Sequence, residues 1–333
     1  MATFPTSATA RPYNEVWKDG IIGAFNAPGS YIYNEALPSP IEVDQFGLYS
    51  GQLLTIKAGE LIRLTGDGSR WGPGAPTPNG VGVDLGTPVT YAMQRFAEKI
   101  PEQTQGVVDN GALVPGGKAK LNLLASLETL KLRREQTFTS LCVAGNVGQA
   151  TTLGAGAGWN ETGGDPFNNI KDAVEFVSRS GHDADTMVLG RSAWWALTNN
   201  AAVKARMALT KDSHAISLSG FRAAIADLYG ITRILVAKAR VNTAAQGAAA
   251  SISDLLGDTC IVYKSMNGGE RVSDDGVDVA VTPGWLARVR GYELFLDNFV
   301  DDDAAVRWHR AQFAEALAVA STEFAAGIFN CVV

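Results

Sequence analysis

Side chains able to do chemistry occur along the whole chain, but their spacing does not gather them into a reaction centre. The three histidines, His182, His214 and His309, lie far apart. None has another His three or four residues away, and no Cys or carboxylate completes a zinc spacing. His182-Asp183-Ala184-Asp185 sets acids beside an imidazole, yet it falls where a helix gives way to a strand and reads as a solvated turn. Gly154-Ala-Gly156-Ala-Gly158-Trp159 has the glycine content of a phosphate cradle. A dinucleotide cradle must follow a strand and open a helix. Here more loop follows, with no Lys-Ser/Thr, so the stretch reads as a flexible connector. Leu189-Gly190-Arg191-Ser192-Ala193 puts a serine after a strand but does not complete Gly-x-Ser-x-Gly, and Ser192 reads as a helix cap. Asp274-Asp275 and Asp301-Asp302-Asp303 lack the glycine offset and distal Glu of a calcium loop and read as polar turns. The expectation is no catalytic residue, no cofactor and no metal, and a chain that is not an enzyme.

Bulk properties agree with a structural role. The chain has 333 residues, 46% hydrophobic and 19% charged, which is a globular composition. Its net charge of -6 disfavours a protein that grips nucleic acid through a basic face. Cys142, Cys260 and Cys331 are too dispersed for a disulfide framework and fit a reduced environment. No run reaches the roughly 18 apolar residues that span a bilayer. The first residues lack the basic and then apolar order of a signal peptide, so a soluble protein that is not exported is expected.

The element that must organise these residues is a tract over 117–146 with no Gly or Pro between Lys118 and Ala144. It predicts a helix over 118–144, a rod of roughly 40 Å. Leu123, Leu127, Leu130, Arg134, Thr137, Leu141 and Ala144 are spaced for one buried face, and the polar pair argues against a coiled coil. Such a rod needs a sheet. Residues 285–329 are read as the strands that supply it, although Phe313, Ala316, Leu317 and Ala320 also fit a helix.

Ahead of the rod, 1–47 reads as an arm broken by prolines and studded with aromatics, including Trp17, Phe25 and Tyr31. Aromatics at that density need a surface to lie on, in this chain or a neighbour. Gln52–Ala58 and Glu60–Thr65 read as strands, and the Gly/Pro-dense stretch 66–88 is too long for a structureless loop inside a compact body. A projecting hairpin covered by another subunit fits better. A short helix is predicted over Val89–Lys99. After the rod, 145–164 reads as loop. From Asp165 the pattern is α/β. It has a capped helix with Ile170, Val174 and Val177 inward, a strand at 186–190, and a helix carrying Trp194 and Trp195. A helix over 218–229 with Phe221, Ile225 and Leu228 inward follows, then strands at 234–241 and 260–264. Adjacent helical positions point about 100° apart, so one of the two tryptophans must face a loop or a neighbouring subunit.

In this order the elements resemble the major capsid protein of tailed bacteriophages, the HK97-like fold. The resemblance is carried by Asp183-Ala184-Asp185-Thr186-Met187-Val188-Leu189-Gly190 with its following helix, by Leu228-Tyr229-Gly230-Ile231 and Ile234-Leu235-Val236, and by the spine-like Leu127-Glu128-Thr129-Leu130 to Leu141. It implies an α+β chain divided into an N-terminal arm (1–47), an E-loop hairpin with a short helix (48–100), a peripheral domain (101–147 and 281–333) and an α/β axial domain (148–280). It implies self-assembly through pentamers and hexamers into an icosahedral head around double-stranded DNA. Location would be the virion after assembly in the host cytoplasm. The partners implied are other copies, separate scaffolding, portal and decoration proteins, and packaged DNA in non-specific proximity, with no membrane. Subunit-interface candidates are Trp17, Phe25, Tyr31, Lys57, Arg63, Arg70, Trp71, Trp194 and Trp195. Some relatives join subunits by a Lys–Asn isopeptide bond. Lys57 with Asn298 or Asn330 would be its counterpart, but these are read as ordinary solvated side chains.

Two other readings compete. An encapsulin-type compartment has the same fold class with an enzyme cargo in place of a genome. A cytoplasmic α/β enzyme with an unrecognised site has little use for the arm and the Gly/Pro-rich projection.

Overall fold

The computed structural model describes residues 30–37, 41–43, 50–53, 88–102, 117–208, 218–244, 248–265, 272–274, 277–279, 282–289, 295–301 and 306–333. The helices are α1 (Tyr33–Ala36), α2 (Gly117–Leu141), α3 (Pro166–Ser178), α4 (Arg191–Asn199), α5 (Ala201–Ala208) and α6 (Leu218–Tyr229). The strands up to the middle of the chain are β1 (Ile41–Val43), β2 (Ser50–Leu53), β3 (Val89–Ala92), β4 (Gln94–Glu102), β5 (Gln149–Thr152), β6 (Thr186–Gly190), β7 (Arg233–Ala237) and β8 (Arg240–Asn242). Those that follow are β9 (Ile252–Asp254), β10 (Cys260–Tyr263), β11 (Val272–Asp274), β12 (Val277–Val279), β13 (Gly284–Val289), β14 (Phe295–Asp301), β15 (Val306–Val319) and β16 (Ala325–Phe329).

The first sheet is built on β15. Its 14 residues pair antiparallel with β14 and then β13 along one edge, and with β4 along the other. β1 adds parallel to β13. The strand reading of the C-terminal stretch holds, and Phe313 and Ala316 lie in β15 and not in a helix. The predicted helix over 89–99 is replaced by β3 and β4. The physical reason is the period-two placement of Val89, Tyr91 and Met93, which sets Tyr91 and Met93 against Ala316 and Ala318. A long neighbouring strand needing an edge partner outweighs local helix propensity.

The spine helix α2 lies across β4 and β15, where Leu130 and Leu127 meet Phe96, Ala311 and Phe313. Phe96 and Phe313 stack with centroids 5.0 Å apart. The helix stops at Leu141, and a 3-10 turn at Ala144–Asn146 replaces the predicted last turn. Its buried residues include Ser126, Leu130, Glu135 and Phe138. Leu127, Leu130 and Arg134 of the predicted seam face the sheet, Arg134 meeting Glu315 and the Phe313 ring, and Glu135 widens that face toward the amides of Ile32 and Tyr33.

The second sheet has the order β5-β16-β10-β6-β7. Every residue of β6 and β10 is buried, because both faces are covered. On one side Met187, Leu189, Ile234, Val236, Cys260 and Val262 join the core of α3, α4 and α6, with Phe167, Ile170, Leu197, Phe221 and Ile225. On the other, Val188, Leu235, Ile261 and Tyr263 pack with Ile32, Tyr33, Ala36 and Phe138. Three details differ from the sequence reading. β5 is a strand inside the predicted loop 145–164. The predicted strand 234–241 breaks after Ala237, and among the described residues β8 pairs with β9 alone. Leu228 is 60% exposed although its spacing placed it inward. β16 falls in the 281–333 segment expected beside the spine, yet it sits between β5 and β10 in this second sheet.

Candidate functional site

Sequence-predicted chemistry resolves into structure-holding roles. Among the described residues no three His, Cys, Asp or Glu side chains cluster as metal ligands. His182 sits edge-on to Phe324. Asp185 accepts from the Ser265 amide at 2.8 Å and pairs with Lys264 at 3.1 Å, bracing the ends of β6 and β10. Ser192 is not the cap of α4. Gly190 holds that position, and a Cβ there would lie 2.1 Å from the Gly257 carbonyl oxygen. That glycine therefore serves close packing. Burial pushes the thiols of Cys260 and Cys331 up, and Cys142 up to about 12, so all three are inert at neutral pH.

The glycine-rich stretch before α3 is not a flexible connector. Trp159 is fully buried, its indole N–H donates to Asn169 Oδ1 at 3.0 Å, and its amide donates to Cys331 O at 2.8 Å. Asn200 donates to the carbonyls of Trp159 and Gly164 and accepts from the amides of Ala202 and Val203, so it ties this loop to the start of α5. A side chain at Gly164 would strike the Gly158 carbonyl, and one at Gly158 would crowd the side chains of Asn160 and Val333. No spacing signal in the sequence marked Asn200.

The interface candidates divide. Trp17, Phe25, Lys57, Arg63, Arg70 and Trp71 lie outside the described residues. Tyr31 packs on its own chain and donates from its hydroxyl to Glu128 on α2. Trp194 turns inward, edge-on to Phe221 at 5.4 Å. Trp195 turns outward and is 51% exposed, with the Arg191 guanidinium 4.6 Å from its ring centre. It borders a surface groove of about 560 Å³ whose walls include Asn160, Glu161, Asn199 and Ala202. The inward–outward split of the tandem tryptophans follows their helical spacing.

A second constellation, missed in the sequence, fixes the arm's base. Glu315 on β15 is 4% exposed. Its carboxylate meets Arg134 Nη2 at 2.7 Å and Arg288 Nε at 2.9 Å, and accepts from the Tyr33 hydroxyl at 2.7 Å. Glu135, with no exposed surface, accepts from the amides of Ile32 and Tyr33 at 3.1 and 3.0 Å. On the far side the Tyr263 hydroxyl donates to Ala36 O, the Arg233 guanidinium to Glu35 O, and the Lys238 amide to Ser30 O. Residues 30–37 thus join the spine, the first sheet and the second sheet.

No protein-family model matches the chain, and no curated protein matches it. Solved structures do. A phage-related protein from Bordetella bronchiseptica superposes with a TM-score of 0.65 at 16% identity, covering 92% of this chain and 93% of that one. The capsid of cyanophage P-SCSP1u gives 0.58 at 12% identity over 99% and 95%. Mycobacterium phage Che8 gives 0.54 at 13% identity over 96% and 98%. The chain has the HK97-like capsid fold. In that fold α2 is the spine helix and the β15-centred sheet its bed. The β2–β3 ribbon pairs antiparallel from Ser50↔Ala92 to Leu53↔Val89. The β5-β16-β10-β6-β7 sheet with its helices is the axial unit of the HK97-like layout.

Proposed function

We propose that this chain is a major capsid protein, a structural and non-enzymatic subunit that assembles through pentamers and hexamers into an icosahedral shell around double-stranded DNA. The observation that carries this reading is the match, over nearly the full length of solved phage chains, of a spine helix on a β15-centred sheet, an α/β unit and the β2–β3 ribbon. A protruding ribbon leaves strand edges that a neighbouring copy can cover. Closure of a shell makes later contacts effectively intramolecular, so each can be modest. Scaffolding and portal proteins are the partners this role calls for, and the virion is its location. The division into arm (1–47), E-loop (48–100), peripheral (101–147, 281–333) and axial (148–280) parts belongs to the same proposal, with β16 (Ala325–Phe329) moved to the axial sheet.

Negative-stain microscopy and nuclease protection of the purified protein test it. Hollow closed particles protecting duplex DNA are the expected result. Uniform monomers under all assembly conditions overturn it, and shells holding a protein cargo point to a compartment of the encapsulin type.

Two variants extend the test. Excising 57–85 through a short Gly-Ser turn is expected to leave the fold intact and to abolish closed shells, as read by circular dichroism and light scattering. Shells of normal yield would remove the hairpin from the mechanism. Trp195→Ala should change stability by no more than about 1 kcal/mol, since half the ring is open and its cation contact is the partly buried Arg191 guanidinium. It should lower assembly yield several-fold, and unchanged yield would exclude Trp195 as an interface residue.

A further inference from the structure

Two buried carboxyls hold residues 30–37, and they differ in one respect. Glu315 has two guanidinium groups on it. Glu135 has none. Its hydrogen bonds are to the backbone amides of Ile32 and Tyr33. A carboxylate taken out of water without a cation costs several kcal/mol in general, and protonation relieves that cost. We propose that residues 30–37, seated on the spine through Glu135, form a proton-tightened clasp that mild acid closes and neutral-to-alkaline pH loosens.

The groups around Glu135 leave it as the titrating member. Just past the end of α2, the Cys142 thiol feels the charge of Glu135, and that thiol is a neutral group below about pH 12. Arg134 is turned to Glu315, and Glu128 lies by Lys131 and the Tyr31 hydroxyl. From α1, the Tyr33 phenol is pushed up by burial and by Glu315, and Glu35 is exposed. From β13 and β15, Arg288 and Glu315 satisfy each other. From β10, burial pushes the Tyr263 phenol up. Desolvation raises Glu135 from 4.5 to about 6 against the pull of the two amides.

Docked, the carboxyl binds its proton more tightly than when residues 30–37 lift and water returns. Docking is therefore strongest below about pH 4.5 and weakens as pH climbs through about 6. The consequence is a change in how firmly the arm's base bridges the two sheets, with no other side chain required to move.

Amide exchange on the full-length protein between pH 7.5 and 5, corrected for intrinsic rates, tests the clasp. Protection at Ile32 and Tyr33 should rise on the order of ten-fold as pH falls. It should be flat in Glu135→Gln, which keeps an acceptor but cannot ionise. A flat wild-type profile, or the same slope in the variant, overturns the proposal. Infrared spectroscopy of the wild-type protein covers the case in which the variant fails to fold. A buried carboxylic acid band above 1700 wavenumbers, roughly where an unionised, weakly bonded carboxyl absorbs, should titrate with a midpoint near 6. Its absence at pH 5.5, a value about one unit above the ordinary Glu range, overturns the proposal equally.

Discussion

Glu315→Ala should lower the unfolding free energy by about 3–5 kcal/mol at pH 7, measured by urea denaturation of the unassembled subunit. The removed carboxylate is shared by Arg134 and Arg288, both largely buried, and by the Tyr33 hydroxyl. Deleting it leaves two guanidinium groups facing a space their counter-charge has vacated. Arg134 comes from the spine, Arg288 from β13 and Tyr33 from α1, so three elements lose their common anchor. Glu315→Gln keeps the shape and one acceptor, and its loss should be smaller. A cost below about 1 kcal/mol for the alanine variant would mean that the pair breaks even against solvent, as exposed pairs do.

Trp159→Ala should cost about 3–5 kcal/mol, the range for emptying a large aromatic site in a core. The indole is fully enclosed, and its N–H bond to Asn169 anchors the loop to α3. Its backbone is held from both sides, by Cys331 beyond β16 and by Asn200 ahead of α5. The cavity left behind would sever the glycine-rich stretch from the axial core. Amide exchange over 158–164 should then rise together with the fall in melting temperature. Unchanged protection there would show that the glycine packing holds the loop without its tryptophan.

The parts of the fold legible in the sequence were those set by local pattern. The α3 start at Asp165-Pro166 is a side-chain cap with proline in the first turn, and Asp165 accepts from the Asn168 amide as that signal demands. The strand at 186–190 and the helix at 218–229 match their predicted bounds. What was illegible depends on partners distant in sequence. Val89–Lys99 carries enough helix formers to read as a helix, and the edges of β2 and β15 make it strand. Glu135 looked like one more polar residue on a long helix. Its burial is decided by two amides about a hundred residues upstream. The glycines of 154–164 read as slack because the sequence does not show that Gly158 and Gly164 lie back to back.

The order in which the strands enter the two sheets has a consequence for synthesis. β16, emerging after residue 324, is an interior strand between β5 and β10, and β15 is the hub on which β4, β13 and β14 meet. Neither layer can close while the polypeptide is still short of those residues on the ribosome. Pairing between segments so far apart is slow, and the early-made ribbons wait for it with open edges. A growing chain of this kind keeps the strand edges of both sheets open until β15 and β16 have been made.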